Sequence, residues 1–167
     1  MRRLSKQDAL ARLGAPAGCP MCDLARDAPA IAASAHAAAL LDRYAARPGH
    51  VLVVLRRHEE RLAAVRWDEY EAMQRLAWEV CGALEDTLAP RRIYVAALGS
   101  AEARATSFPH VHLHVIPLSD GGEADRPASV LTWEHGMYVF EDAAEEQALR
   151  ARLAAAIDAR RREIGRR

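Results

Sequence analysis

Aromatic residues are scarce, making up 5% of the 167 positions, so stacked rings cannot dominate the core. Leu, Val and Ile must fill it instead, with Trp67, Trp78 and Trp133 expected as its few large anchors. An excess of one charge is also missing, because 23 basic residues cancel 23 acidic ones. No global field therefore favours nucleic acid or an anionic membrane surface. No run approaches the ~20 apolar residues of a membrane-spanning helix, and residues 1–15 lack a signal-peptide apolar centre. Cysteine is limited to Cys19, Cys22 and Cys81. Three do not make a disulfide framework, and a Cys-x-x-Cys pair without a secretion signal suits a reduced compartment. The expectation is a cytoplasmic protein of one domain, 1–167, with no membrane or nucleic-acid partner.

What is present is well punctuated. Residues 5–13 suggest a short helix, followed by a Gly/Pro/Cys-rich turn over 14–22. A weak alanine-rich strand over 35–42 precedes the turn Arg47-Pro48-Gly49, and His50 to Leu55 reads as a strong strand. Asp68, with Glu71 in capping-box position, is expected to open a long helix. Its apolar stripe is Tyr70, Met73, Ala77, Val80, Cys81, Leu84 and Leu88, and Pro90 stops it. Trp78, off that stripe, is expected at the flank of the core. A strand over 93–98 and a loop lead to the histidine-rich segment; short extended structure is expected over 130–140. A helix over 143–164 has Glu145 and Glu146 in its first turn and arginines in its last. This order suits the helix dipole, so the basic tail needs no nucleic-acid explanation. His36 and His135 read as surface residues. Strands pair sequentially and outnumber helices, which predicts an α+β class with an antiparallel sheet.

The chemistry concentrates in His110-Val111-His112-Leu113-His114, followed by Val115-Ile116-Pro117. Apolar spacers alternate with imidazoles at the period of a strand. This places the three rings on one face, about 6–7 Å apart, with the valines and leucine facing a core. Imidazole titrates near neutrality, so such a row calls for an anionic ligand, a metal or a proton-sharing network. Three readings stay open from the residues alone. A neutral imidazole can attack phosphorus, with a neighbouring ring neutralising charge on the phosphoryl oxygens. The three rings can instead hold a metal with an open coordination position. Or they are satisfied by hydrogen bonds on a polar face.

The row resembles the signature of the histidine-triad (HIT) superfamily, His-φ-His-φ-His-φ-φ with φ apolar. Leu40-Leu41-Asp42-Arg43-Tyr44, Pro48-Gly49-His50-Val51-Leu52-Val53-Val54 and Arg57-His58 resemble its upstream block, and Cys19-Pro20-Met21-Cys22 resembles the opening of its zinc-containing branch. These landmarks run in family order over residues 19–118, leaving 119–167 as a C-terminal extension. The resemblance implies an antiparallel sheet with a long helix packed on it, a C-terminal helix, and usually a homodimer. It also implies a hydrolase or transferase acting at the α-phosphate of a nucleotide conjugate, either a dinucleoside polyphosphate or a nucleoside phosphoramidate. His112 maps onto the nucleophile, giving a nucleotidyl-histidine intermediate; His114 maps onto a phosphate contact and His50 onto a supporting hydrogen bond. Asp42 falls at the ribose-binding position. Cys19, Cys22, His58 and His110 match the ligands of a structural Zn2+. Two positions depart from the pattern: Leu118 follows Pro117 where many relatives carry Arg, and Thr106 stands where many carry Gln. A hydroxyl of Thr106 or Ser107 is the expected substitute donor. A non-catalytic nucleotide-binding protein is the alternative to an enzyme.

Overall fold

The computed structural model describes residues 1–13, 18–98, 108–119 and 121–166. The chain opens with strand β1 (Arg2–Leu4) and helices α1 (Lys6–Leu13) and α2 (Pro20–Asp27). Strands β2 (Ala32–Ala33), β3 (Ala37–Leu41) and β4 (Val51–Leu55) follow, then the long helix α3 (Trp67–Leu88). Strand β5 (Arg92–Ala97) precedes β6 (His112–Leu118), a short helix α4 (Pro127–Leu131), strand β7 (Met137–Val139) and helix α5 (Ala143–Ile164). Five strands make one antiparallel sheet in the order β2-β3-β4-β6-β5. The class is α+β, with the long helix on the sheet and the C-terminal helix packed against that helix. No helix among the described residues is long and apolar enough to cross a membrane.

Strand alternation divides the sheet chemically. Ala37, Ala39, Val51, Val53, Leu55, Leu113 and Val115 face α3 and α5, joining Met73, Val80, Leu84, Leu153 and Ile157 in the main core. On the opposite face Ala38, Leu40, Leu52 and Val54 pack against Met21 and Ala25 of α2. Register places His112 opposite Val54 and His114 opposite Leu52, so both imidazoles belong to this second face. Pro117 is tolerated because β6 pairs with β4 only as far as Val115; opposite Pro117 stands Ile93 of β5.

Several expectations need correction. Trp67 and Trp78 are 75% and 59% exposed, so neither anchors nor flanks the core. Helix α3 starts at Trp67 rather than after an Asp68 cap, and Glu69 replaces Glu71 as the residue reaching back: its Oε2 accepts the Arg66 N–H at 3.1 Å. The reason is anchorage. Arg57 grips both oxygens of buried Glu69 at 3.0 and 2.9 Å, holding its pKa at about 2, whereas Glu71 is exposed. Glu79 and Gly82 lie off the expected stripe yet are buried, because Arg161 and Arg160 of α5 cover them. The segment 130–140 is not simply extended; it holds the end of α4, a turn and β7. That strand pairs with β1, and the N-terminal ammonium meets Glu145 at 2.8 Å, so the first and last segments clasp each other. An isolated bridge from Ala45 to Tyr138 ties this clasp to the turn before β4.

Candidate functional site

The expected single row of three imidazoles divides in two. His110 precedes β6, and its ring turns toward Cys19, Cys22 and His58, while His112 and His114 stay beside His50 on the second sheet face. Position 110 escapes the alternation because regular pairing begins only at 112, where Val54 is the partner.

The hydrogen bonds around His112 define one consistent set of tautomers. His112 Nδ1 lies 2.7 Å from the carbonyl oxygen of His110; since a carbonyl can only accept, Nδ1 carries the proton. Neutral His112 then has its lone pair on Nε2, which lies 3.0 Å from His114 Nε2 and must accept from it. His114 Nδ1 is therefore the acceptor for His50 Nε2 at 3.0 Å, and His50 Nδ1 accepts the Ala46 backbone N–H at 3.1 Å. Every proton in the relay is assigned, and it ends on a nucleophilic lone pair. Burial favours this neutral state. It holds the pKa of His50 and His112 below the ordinary 6.5 and that of His114 well below it, with neighbouring imidazoles adding to the effect at His114. Asp42 Oδ2 lies 3.1 Å from His50 Nδ1 and opposes the shift there; its other oxygen accepts the Tyr44 N–H at 2.9 Å.

His112 and His114 open onto a cavity of about 550 Å3, whose walls include Asp42, Leu52, Phe108 and Met21. Asp42 thus stands at the cavity as well as against His50. Thr106 and Ser107 lie outside the described residues. His36 is half-buried, 3.7 Å from Asp68, and His135 is exposed; neither joins the site.

The second group has a different shape. Cys19 Sγ, Cys22 Sγ, His58 Nδ1 and His110 Nδ1 all lie within 4.8 Å of one another, and their closest pairs are 3.3–3.5 Å apart. A tetrahedral zinc with Zn–N of about 2.0–2.1 Å and Zn–S of about 2.3 Å has ligand-to-ligand edges of about 3.3–3.8 Å, so the donor set fits. The outer ring nitrogens also fit. His110 Nε2 donates to the Leu55 carbonyl at 2.7 Å and His58 Nε2 faces Glu60 at 3.5 Å, leaving both Nδ1 atoms with lone pairs for a metal. Burial and Cys19 push the Cys22 thiol up to about 11, an environment that a divalent cation reverses. No three-histidine cluster of residues 110, 112 and 114 occurs among the described residues.

Sequence reasoning did not find much of the cavity wall, including the apolar Met21 and Leu24 of α2, Phe108, Trp133 and Met137 and the charged Arg12, Asp23 and Asp27. Apolar residues scattered over more than 100 positions carry no periodic signal that would gather them.

Comparison with known proteins identifies the family and the fold. Residues 25–121 match the model of the HIT domain. An uncharacterized HIT-like protein of Mycoplasma genitalium is 29% identical over 108 residues, covering 63% of this chain and 76% of its own. The structure is similar to a zinc-bound histidine triad family protein from Mycobacterium smegmatis, with a TM-score of 0.65 and 22% identity over 85% of this chain and 96% of that one. It is also similar to a Plasmodium falciparum diadenosine triphosphate hydrolase solved with cyclomarin A, with a TM-score of 0.51 and 17% identity over 63% of this chain and 69% of that one. With more than half its length matched by the family model and its fold shared with such structures, this chain belongs to the HIT domain family.

Proposed function

We propose that the protein is a nucleotide hydrolase acting at the α-phosphate of a dinucleoside polyphosphate or a nucleoside phosphoramidate. The observation that carries this reading is His112: its Nδ1 proton is fixed on the His110 carbonyl, and its ring lines the cavity with the lone pair on Nε2. In the proposed first step Nε2 forms a bond to phosphorus while the bond to the leaving group breaks, and that electron pair departs with the leaving group. Attack requires Nε2 to release the hydrogen bond from His114. That N–H is then free to donate to a phosphoryl oxygen, so one donor first orients the nucleophile and then stabilises the charge that develops. The resulting ring is cationic, and its Nδ1–H remains on the His110 carbonyl. Water next forms a bond to phosphorus and His112 Nε2 leaves, restoring the enzyme and releasing a nucleoside monophosphate. Asp42 is the residue proposed for the ribose hydroxyls, with Thr106 or Ser107 supplying a phosphate donor. A phosphate acceptor in place of water makes the same intermediate a transferase reaction.

Cys19, Cys22, His58 and His110 are proposed to hold a structural Zn2+, which when bound supplies a cross-link between α2, the segment after β4 and the start of β6. Four protein ligands leave no open position for substrate. A second copy is proposed as the partner, and the position of β5 at the outer edge of the sheet among the described residues is compatible with it.

Brief exposure to adenylated and guanylated conjugates, followed by intact-protein mass spectrometry, tests the reading. The expected result is a nucleotidyl adduct on the wild type, with monophosphate release, and neither on His112→Ala. Normal turnover by His112→Ala would defeat it.

A further inference from the structure

Much of the cavity's apolar wall comes from outside the segment matched by the family model: Met21 and Leu24 before it, Trp133 and Met137 after it. Trp133 stands out among these by its backbone. Its φ is 52°, and only one other non-glycine among the described residues, Ala89, has a positive φ. A bulky L residue disfavours this left-handed region, and such a conformation persists only where its surroundings over-determine it.

Here they do. The Trp133 N–H donates to the Val130 carbonyl at 3.3 Å, and the Gly136 N–H donates to the Trp133 carbonyl at 3.0 Å. Ser129 Oγ donates to Glu134 Oε2 at 2.8 Å, and Lys6 Nζ donates to the Thr132 carbonyl at 3.0 Å. Gly136, at φ 86°, runs so close to β1 that a Cβ there would collide with the Leu4 carbonyl oxygen. The clasp of β1 on β7 therefore buttresses the turn that presents the indole. By contrast, Trp67 and Trp78 lie mostly in solvent.

We propose that Trp133 is the wall of the site that contacts the nucleobase, and that the terminal clasp positions it. The proposal rests on the nucleotide reading of the site. With His112 and His114 assigned to phosphorus, the cavity that remains has an apolar part formed by Met21, Leu24, Leu52 and Phe108, suited to a flat, neutral ring, beside the charged side chains of Arg12, Arg43, Asp23 and Asp27. An indole offers such a ring a broad face for stacking, tolerant of base identity.

Trp67→Phe/Trp78→Phe leaves Trp133 as the sole indole. Its fluorescence is titrated with AMP, GMP and UMP and with base-free ribose 5-phosphate, while calorimetry measures binding separately. The expected result is a change in emission with the nucleotides and none with ribose 5-phosphate. Trp133→Leu is expected to raise KM about tenfold with kcat little changed, and Trp133→Phe to restore most of the loss. Nucleotide binding by calorimetry with silent Trp133 emission overturns the inference and leaves the nucleotide reading standing. An unchanged KM in a folded Trp133→Leu variant overturns it as well. No nucleotide binding at all sinks the nucleotide reading, and the inference with it.

Discussion

Two histidine-rich groups lie side by side in this protein, and their shapes differ. In the group around Cys19, Cys22, His58 and His110 the donor atoms converge on a common centre. In the group formed by His50, His114 and His112 the rings run in line, each nitrogen spent on the next. Convergence aims four donor atoms at one centre, which is what a cation needs. A line ends on one lone pair, at His112 Nε2, which a single hydrogen bond from His114 holds and which an electrophile can take over. Asp42, His50 and His114 also come within 4.8 Å of one another, but there His50 Nε2 and His114 Nδ1 already satisfy each other. His110 belongs to both groups: its ring serves the cluster and its carbonyl fixes His112.

The most severe test of this contrast is His112→Ala. Turnover is expected to fall on the order of 10^3-fold or more, while metal content, read by mass spectrometry of the purified protein, stays unchanged. Loss of the metal together with activity would merge the two groups into one. Cys19→Ser, or chelation, is expected to do the reverse: metal is lost, and stability drops by about 3 kcal/mol or more, several degrees in Tm. Residual turnover should remain, weakened because His110 is less firmly held. Shortening the line is a milder change. His50→Ala leaves His114 Nδ1 without its donor and is expected to cost about 10- to 100-fold in kcat/KM, whereas His50→Gln, which can still donate, recovers part of it.

The smallest effect is expected from pH. Burial lowers the pKa of His50 and His114 below 6.5 in the folded chain, so the unfolded chain binds more protons between those lowered values and 6.5. Stability from these residues is thus complete above about 6.5 and declines as pH falls through the depressed values. A denaturation midpoint that rises on acidification from pH 7 would contradict a neutral relay.

The portion of this design legible in the sequence follows from local rules. Val51 to Leu55 and the alternation through residues 110–116 announce strands, and the Pro48-Gly49 turn places His50 at a strand entrance. The C-terminal helix is marked by its charge order and begins as expected, with Asp142 as its cap. What was not legible depends on distant partners. Nothing local reveals that Arg57 would select Glu69 over Glu71 as the residue that closes the helix start. Nothing local distinguishes Trp133, drawn into the cavity by the β1–β7 clasp, from Trp67 and Trp78, left outside it. The division of the histidine row depends on where pairing with β4 starts, which a periodic pattern cannot reveal.

Gly49 shows how tightly the relay is set from below. Its φ is 88°, and a Cβ placed there would lie 2.5 Å from Leu88 Cδ1 and 3.2 Å from Pro117 Cγ. The neighbouring His50 therefore rests on a bare patch of main chain wedged between the last turn of a helix and a proline ring. Even an alanine at that spot would act as a shim, tilting the first imidazole and, through it, the aim of the last.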